Sequence, residues 1–442
     1  MPVSAKKTRR VVVLADSDTR WKWGALTARR LFPENTDIRL DGRLLRGRAT
    51  PTARQLTEVG VPADSLREVT AAEFLRALGG EGTDEEPYDV VVLALVGGGV
   101  QAMLHGLAHA WRDRARRPVV VTGYVGVVYE KLADGLLLRH GADLVLANSL
   151  QDAERFRALY EGVGADASAV TEVALPFLGG APYGKKDPRT VVFAAQPSVP
   201  ATRADRAYLL DRLIGHARRH PGREVLLKLR SRPGEHTTHI EEVPYQKLAQ
   251  HRELPANLRL VYGNMGEVLD RTDLLVTVSS TAALESLHRR IPTAVLTDLG
   301  VREALGNHHF VGSGCLASWD QLDAGHEPEP DARWVARQGV AAAGGAAYET
   351  AFDEARRRVG DLLAADGLPP LRPYYTPVTA PGYLPGVLAR HHLAPDGGPL
   401  PGAPAADKAP GPVRRAVRRA ALGAYRHGVQ RVAPVIRRMG EL

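Results

Sequence analysis

Cysteine, long apolar runs and a secretion signal are all scarce or absent in this sequence. The one cysteine among 442 residues is Cys315, which excludes an intramolecular disulfide and a thiolate metal site and favours a reducing compartment. No window reaches the ~20 apolar residues that a membrane span needs. The N-terminal MPVSAKKTRR leads directly into the apolar stretch Val11–Ala15, without the features of a signal peptide. We therefore expect a soluble, cytoplasmic protein.

Aromatic residues are also few, at 6% of the chain, although the net charge is +8. Much of the basic excess lies in the first ten residues and in the C-terminal tail. No basic stretch is interleaved with aromatic residues as a stacking platform for bases requires. The charge therefore indicates no nucleic-acid partner. Apolar and charged fractions of 44% and 24% are those of a folded protein.

The length exceeds what one hydrophobic core usually organises, so two domains are expected. In the first, residues 1–178, apolar strands alternate with loops and helical patterns, which indicates βαβ units and a parallel sheet. The predicted strands are Val11–Ala15, Val90–Val96, Val119–Thr122 and Leu144–Ala147.

A Gly- and Pro-rich segment, Leu175–Arg189, breaks this periodicity and is the candidate interdomain linker. The alternation then restarts over residues 190–330 and predicts a second Rossmann-like domain. Its predicted strands are Val191–Ala195, Glu224–Leu229, Leu258–Val261, Leu274–Val278 and Ala294–Leu296, and its helices are Arg203–His220, Met265–Arg271 and Ala282–Arg289.

Residues 331–442 form a different kind of segment, a helical, Pro-rich and basic C-terminal extension. Trp334–Ala364 has a helical pattern, and Pro369–Pro412 is rich enough in Pro and Gly to predict a loop or linker. Arg414–Arg438 predicts a basic helix, kinked or ended near Pro434.

The sharpest candidate site follows a strand of the second domain. Ser279, Ser280 and Thr281 turn directly into a helix that carries Glu285. Unpaired N–H groups and the positive end of a helix dipole would hold a phosphate there. The alternative is an ordinary N-cap. Gln196, in the first loop of the same domain, is a candidate contact to a nucleotide.

Cations form a second cluster just past another strand of this domain. Lys228, Arg230 and Arg232 suit a phosphate or a sugar carboxylate, and a solvated basic loop is the alternative. His236 and His239 follow in the chain. Their spacing could suit a metal, but no further ligand residue supports one, so we expect no metal site.

In the first domain, polar and aromatic residues cluster after the first strand. Asp16 or Asp18 would serve as a general base for an acceptor hydroxyl. Trp21, Lys22 and Trp23 would contact the acceptor, the tryptophans by offering flat faces to a sugar ring. The competing interpretation makes one aspartate an N-cap and both tryptophans core residues.

A later loop of the same domain adds three candidates. Gly123 permits close approach of a ligand to the backbone, and Tyr124 follows it. Glu130 is a second candidate base.

These motifs resemble a known family. The order of Gln196-Pro197, a strand ending in Lys228, and Ser279-Ser280-Thr281 followed by Glu285 resembles the C-terminal half of glycosyltransferases of the GT-B architecture. The chain looks most similar to metal-independent polysialyltransferase-like, Kdo-transferase-like and glycerophosphotransferase-like enzymes of capsule and wall-polymer synthesis, and to actinobacterial glycosyltransferase-like chains. The similarity covers roughly residues 10 to 325.

The resemblance implies an α/β fold of two facing Rossmann-like domains and a nucleotide-sugar donor. In those families a His-Pro motif contributes to the donor site, whereas Arg232-Pro233 stands here. Either His239 replaces that histidine as general acid, or cations alone meet the charge of the leaving group.

We therefore expect a sugar transfer, without metal or cofactor, from a nucleotide-activated donor to a hydroxyl of a glycan or lipid-linked acceptor in cell-surface glycan or wall-polymer synthesis. A nucleotide-sugar epimerase of the same fold and a non-catalytic nucleotide-sugar-binding or scaffold protein are the alternatives. Residues 414–438 would rest on an anionic membrane at the inner face of the cell membrane, or remain a solvated tail.

Overall fold

The protein is divided into two compact α/β units. The computed structural model describes residues 8–47, 49–80, 86–127, 132–232, 235, 241–340 and 346–401. Within these ranges, unit 1 contains residues 8–177 and 346–401, and unit 2 contains residues 178–340. Each unit has its own parallel sheet, which confirms the prediction of two Rossmann-like domains.

Unit 1 is built on a seven-stranded parallel sheet with strand order β3-β2-β1-β4-β5-β6-β7. Its central strands are continuous apolar runs because helices cover both faces of the sheet. The strands are β1 Arg9–Ala15, β2 Ile38–Leu45, β3 Ser65–Val69, β4 Val90–Ala94, β5 Val119–Gly123, β6 Leu144–Ala147 and β7 Val170–Glu172.

Two short helices of unit 1, the second and third in chain order, begin at side-chain caps. The Thr52 hydroxyl accepts from the Gln55 amide and the Thr70 hydroxyl from the Glu73 amide, and each forms a capping box. Before β7 the helices are α1 Asp18–Arg30, α2 Ala53–Val59, α3 Ala71–Gly79, α4 Gly97–Ala110, α5 Leu132–Leu137 and α6 Leu150–Gly162.

Strand β2 was not predicted, because charged residues interrupt its apolar pattern. Asp41 lies within this strand and is only 2% exposed. Burial alone would raise the pKa of Asp41, but hydrogen bonds from Ser65 and Tyr88 and the charge of Arg43 lower that pKa below its ordinary value. A buried polar network therefore replaces apolar packing at this strand.

Unit 2 contains a six-stranded parallel sheet with strand order β10-β9-β8-β11-β12-β13. Its strands are β8 Thr190–Ala194, β9 Glu224–Lys228, β10 Leu258–Val261, β11 Leu274–Thr277, β12 Thr293–Leu296 and β13 Leu316–Ala317. Its α-helices are α7 Arg203–Arg219, α8 Tyr245–Ala249, α9 Met265–Leu269, α10 Ala282–His288, α11 Trp319–Asp323 and α12 Ala332–Arg337, with 3-10 helices at Glu303–Leu305 and Asn307–Phe310.

Hydrogen bonds hold most of the segment that was predicted as a linker against unit 2. The fully buried carboxylate of Asp273 accepts hydrogen bonds from the Lys186 and Thr190 amides, both at 2.9 Å, and from the Tyr183 hydroxyl at 3.1 Å. Residues 178–189 therefore belong to unit 2, although their Gly and Pro content is typical of a free linker.

The extension predicted over residues 331–442 is divided between the units. Its described part from residue 346 onward packs on unit 1 and contains α13 Ala346–Thr350, α14 Asp353–Ala364 and α15 Leu384–Ala389. The Tyr375 carbonyl lies 3.0 Å from Nε2 of His105 on α4. The segment predicted as a loop thus contains a helix and packs on α4. The predicted basic helix at 414–438 lies outside the described residues.

Candidate functional site

Each sheet has one point where the strand order reverses, which we call its switch point. In unit 1 this point lies between β1 and β4, and in unit 2 between β8 and β11. In open α/β sheets, ligands bind beyond the carboxyl ends of the strands at such points. The predicted site residues Asp16, Gln196 and Ser279 all lie at these two positions.

In unit 2 a glutamine and a serine meet across the switch point. The side-chain oxygen of Gln196 accepts from the Ser279 amide at 3.0 Å, and its Nε2 donates to the Ser279 hydroxyl at 3.2 Å. That hydroxyl donates to the Leu305 carbonyl at 2.6 Å. The structure therefore brings together two residues that were predicted separately, 83 positions apart.

The start of α10 differs from the prediction of unpaired N–H groups. Besides the Ser279 amide, which Gln196 occupies, the Ser280 amide donates to the Thr277 hydroxyl at 3.1 Å, and the Ala282 amide donates to the Ser280 hydroxyl at 3.2 Å. All three donors are thus satisfied, one by Gln196 and two within the turn, and α10 is only seven residues long. Its backbone alone is a weak anion site, so cationic side chains have to supply the attraction.

The side chains of Ser280, Thr281 and Glu285 lie at the same helix start. All three are partly exposed. Thr281 precedes α10 without a side-chain capping bond, and Glu285 lies in the first turn.

Lys228 is the last residue of β9, which pairs with β8. Its side chain is only 8% exposed, and its ammonium donates to the Leu229 carbonyl at 2.9 Å. A buried ammonium is costly unless it is well paired. Arg230 is partly exposed, and the exposed Arg232 lies with its guanidinium 5.6 Å from the ring centre of Tyr262. The carboxyl end of β9 therefore carries one buried cation and two more exposed ones.

A buried arginine that was missed at the sequence level holds the loop after β8. Arg206 on α7 is 1% exposed and donates to the carbonyls of Gln196 at 2.8 Å, Pro200 at 2.8 Å and Pro197. It also forms an ion pair of 3.1 Å with Glu241. Because it bonds the backbone of Gln196, Arg206 fixes the residue that contacts Ser279. Nothing in the sequence distinguishes Arg206 from the other polar residues of its amphipathic helix.

In unit 1, Asp16 spans the switch point. Its Oδ2 accepts from the Val96 amide just past β4 at 3.0 Å, and its Oδ1 accepts from Arg20 on α1 at 2.8 Å. Both oxygens of Asp16 thus hold the loop and the helix in place. Asp18 is the first residue of α1, is partly exposed, and accepts from the Thr19 hydroxyl at 3.3 Å.

The tryptophans of α1 are core residues. Trp21 is 1% exposed and Trp23 is fully buried, so neither indole offers a flat face to a sugar, as the alternative interpretation predicted. The other part of that interpretation is wrong, because the N-cap of α1 is Ser17 and not an aspartate. The two indoles point to different sides of α1, and both are buried because neighbouring elements cover most of this helix. Lys22 lies on the more exposed side of α1, with its ammonium 4.8 Å from the ring centre of Phe177.

Gly123 and Tyr124 pack against the protein itself. A Cβ at Gly123 would lie 2.8 Å from the Leu146 carbonyl oxygen and 2.9 Å from Trp23, so close packing explains the glycine without a ligand. The ring of Tyr124 lies 4.0 Å below the guanidinium of Arg139, and burial raises the pKa of its hydroxyl.

Arg139 was also missed at the sequence level. It is 5% exposed and donates to the carbonyls of Gly123 at 3.0 Å, Gly135 at 2.6 Å and Leu95 at 3.3 Å. Leu95 and Gly123 lie at the carboxyl ends of β4 and β5. Arg139 therefore fixes two loops beside Asp16.

Asp152, on α6 near the same edge, is a buried carboxyl group. Burial raises its pKa to about 6, against the charge of Arg155 and a hydrogen bond with Ser149, which lower it. The position is 4% exposed. Asp152 thus titrates nearer to neutral pH than an ordinary aspartate does.

Two predicted catalytic residues, Glu130 and His239, lie outside the described residues. Among the described residues, no helix has the length and apolar character needed to cross a bilayer.

Solved structures with a similar fold include the UDP-GlcNAc 2-epimerase from Methanocaldococcus jannaschii. It is 11% identical, covers 81% of this chain and 100% of its own, and has a TM-score of 0.50. This likeness supports the predicted GT-B fold and shows nothing about activity.

Two further structures are less similar. The UDP-GlcNAc 2-epimerase from Neisseria meningitidis bound to UDP-GlcNAc is 10% identical over 80% of this chain and 100% of its own, with a TM-score of 0.48. The kitacinnamycin glycotransferase is 13% identical over 80% of this chain and 95% of its own, with a TM-score of 0.42. No curated protein matches the sequence.

A family model matches most of the chain, over residues 11–357. The protein therefore belongs to the family described as "Putative glycosyltransferase (DUF6716)".

Proposed function

We propose that the protein transfers a sugar from a nucleotide-activated donor to a hydroxyl acceptor, with the donor nucleotide bound at the carboxyl edge of the unit 2 sheet. The observation that carries this proposal is the placement of Lys228 at the end of β9. The adjacent strand β8 is followed by Gln196, whose side chain bonds Ser279 beyond β11. Family membership supports the class of reaction.

The proposed mechanism rests on electrostatic stabilisation of the leaving phosphate. Lys228, Arg230 and Arg232 supply positive charge near the end of β9, and the neutral pair of Gln196 and Ser279 presents no carboxylate that would repel a phosphate. Fixed charges in a site that excludes water stabilise a departing anion strongly. The reaction would then need no divalent cation, so EDTA should leave its rate unchanged, and restoration by magnesium after EDTA would refute this step.

Unit 1 would supply the acceptor side and the base. Both oxygens of Asp16 accept hydrogen bonds, from Arg20 and from the Val96 amide, which gives Asp16 a positioning role. We assign the role of base to Asp18, which is partly exposed at the first position of α1. Asp18→Asn should lower kcat about 100-fold or more with nucleotide affinity unchanged, because it removes proton transfer alone. Asn35→Asp, elsewhere in unit 1, serves as a control for an altered charge.

The test of the reaction class is turnover of labelled nucleotide sugars with and without acceptors. A transferase consumes the donor only when a hydroxyl acceptor is present, whereas an epimerase converts the nucleotide sugar without one. The proposal would be supported if the wild-type protein transferred labelled sugar to a glycan or lipid-linked acceptor and Lys228→Met did not. Acceptor-free conversion of the sugar, or binding without any turnover, would contradict it.

We further propose that the acceptor belongs to cell-surface glycan or wall-polymer synthesis and that residues 414–438 bring the protein to an anionic membrane. The basis is the basic, amphipathic sequence of that segment. Co-sedimentation with anionic vesicles should be lost when the segment is deleted. Undiminished co-sedimentation would remove this part of the proposal.

A further inference from the structure

A cluster of two histidines and an aspartate lies in unit 2, away from the proposed donor site. Helix α7 starts beyond the carboxyl end of β8 and returns to the opposite edge of the sheet, where β9 begins. His216 lies in its last turn, and His220 follows its last residue. Asp323 ends α11, which packs beside α7.

Hydrogen bonding fixes which nitrogen of His216 carries the hydrogen. Nδ1 of His216 lies 2.7 Å from Oδ1 of Asp323. A carboxylate only accepts hydrogen bonds, so Nδ1 donates and Nε2 keeps a free lone pair. The His216 side chain is fully buried, and within the described ranges its Nε2 has no hydrogen-bond partner.

His220 presents a second nitrogen of the same kind. Its Nε2 is also buried without a partner among the described residues, and its ring centre is 4.6 Å from that of His216. One donor atom from each of His216, His220 and Asp323 can be chosen so that all three lie within 4.8 Å of one another. Tetrahedral ligands at bonds of about 2.1 Å lie roughly 3.4 Å apart, so a bound ion would have to draw the partly exposed His220 closer to His216.

We propose that His216 and His220 bind a zinc-class divalent ion through their Nε2 atoms, with Asp323 orienting His216. Imidazole nitrogens suit Zn²⁺, Ni²⁺ or Cu²⁺, whereas Mg²⁺ and Ca²⁺ require oxygen ligands. A carboxylate behind a metal-binding histidine is a common outer-shell arrangement. Water completes the coordination, and the buried indole N–H of Trp319, whose ring centre is 5.4 Å from that of His216, lacks a partner among the described residues and would donate to that water.

Nearby arginines limit the strength of this site. Arg212, at 3.3 Å, and Arg219 both contact Oδ2 of Asp323. Their charges oppose a dication, so only a metal with strong affinity for imidazole should bind. Because the ligands come from the end of α7 and are oriented by α11, the ion would stabilise unit 2, and the proposal does not depend on the proposed function.

The experiment is a titration of the metal-stripped, full-length protein, purified without a histidine tag, with ZnCl2 and separately with MgCl2. Calorimetry should show one zinc ion per chain and no magnesium binding at this site. At a zinc concentration about 100 times Kd, the unfolding temperature should rise by several degrees, because the ion binds the folded state.

Variants locate the site. His220→Gln, at a partly exposed position, should fold normally and weaken zinc binding at least tenfold, and His326→Gln, at an exposed position of the same unit, should bind as the wild type does. Absence of zinc binding by the wild-type protein, or equal binding by His220→Gln, would overturn the proposal and leave a buried water as the partner of the two nitrogens.

Discussion

The switch points of the two units share the same hydrogen-bonding arrangement but use side chains of different charge. In unit 1 the side chain of Asp16 accepts from the amide of Val96, and in unit 2 the side chain of Gln196 accepts from the amide of Ser279, each at 3.0 Å. Both donors lie two residues past the end of the neighbouring strand, β4 or β11. In each unit, then, one polar side chain closes the gap where the strand order reverses.

Each switch point also has a buried arginine stacked on a tyrosine. Arg139 lies 4.0 Å from the ring centre of Tyr124, and Arg206 lies 4.9 Å from that of Tyr245. Both donate to carbonyls of strand-end loops. Arg206 is also paired with Glu241, whereas within the described ranges Arg139 forms no ion pair.

The difference between the two sites lies in their charge. Unit 1 places a carboxylate, paired with Arg20, at its switch point, while unit 2 places a neutral amide there and a lysine at the end of the adjacent strand. At the unit 1 switch point a phosphate would have to approach the carboxylate of Asp16, whereas at the unit 2 switch point it would meet the neutral amide of Gln196, with the ammonium of Lys228 on the adjacent strand. This contrast is the physical reason to assign the donor nucleotide to unit 2.

The largest expected effect concerns the two arginines. Arg206→Met should lower the free energy of unfolding by about 3–5 kcal/mol, because it breaks the buried ion pair with Glu241 and removes the hydrogen bonds to the loop carbonyls of Gln196, Pro197 and Pro200. Arg139→Met should cost less, since no described carboxylate loses its partner. Urea unfolding measures both, with the exposed Arg203→Met as control. An equal or larger loss in Arg139→Met would contradict the comparison.

A second prediction uses the raised pKa of Asp152. The folded-state pKa of about 6 lies above the ordinary value of 3.8, so the folded state binds its proton more tightly and stability is lost as pH rises from about 4 through about 6. Asp152→Asn removes this loss. Its stability relative to wild type should therefore increase by up to about 3 kcal/mol between pH 4 and pH 7.

Glu161→Gln, an exposed substitution on the same helix, is the matched control for Asp152→Asn and should show no such trend. If the stabilities of Asp152→Asn and wild type changed in parallel with pH, the prediction would be wrong and the Asp152 carboxyl would be solvated.

The third test exchanges the charges of the side chains at the two switch points. Gln196→Glu places a negative charge beside Ser279 and should weaken nucleotide binding at least tenfold, which corresponds to about 1.4 kcal/mol. Asp16→Asn should leave the affinity within about twofold, since it alters only unit 1. Calorimetric titration measures both. The reverse ranking would place the nucleotide in unit 1.

The smallest effects are expected for the tyrosines beneath the arginines. The hydroxyls of Tyr124 and Tyr245 have no hydrogen-bond partner among the described residues. Tyr124→Phe and Tyr245→Phe should therefore not lower the free energy of unfolding, because each removes a buried hydroxyl that has no partner among the described residues. A tenfold loss of nucleotide affinity in either variant would show that its hydroxyl contacts the ligand.

The sequence predicted the architecture well because buried parallel strands are continuous apolar runs, as at β1 and β4. It missed β2, where the polar network around Asp41 replaces apolar packing. It misjudged the segment 178–189, because hydrogen bonds to Asp273, distant in sequence, order it.

For the site, the sequence identified residues at strand ends but not their partners. Gln196 and Ser279 were separate candidates, and only the sheet order brings them together. Arg139 and Arg206 were missed because a buried arginine on a helix resembles any surface arginine in sequence. Trp21 and Trp23 were named as acceptor contacts but are core residues, because their burial depends on how α1 packs, which the sequence alone does not show.

The most direct test of the central claim is nucleotide binding by wild type and by Lys228→Met, with the exposed Lys185→Met as control. CMP, UDP, GDP and CDP derivatives would be titrated by calorimetry. We expect at least one of them to bind, and Lys228→Met to weaken it by about 10–100-fold, as the loss of a charge-assisted hydrogen bond implies, while Lys185→Met binds as wild type does. Absence of binding to any nucleotide, or unchanged affinity in Lys228→Met, would contradict the assignment of the donor site to unit 2.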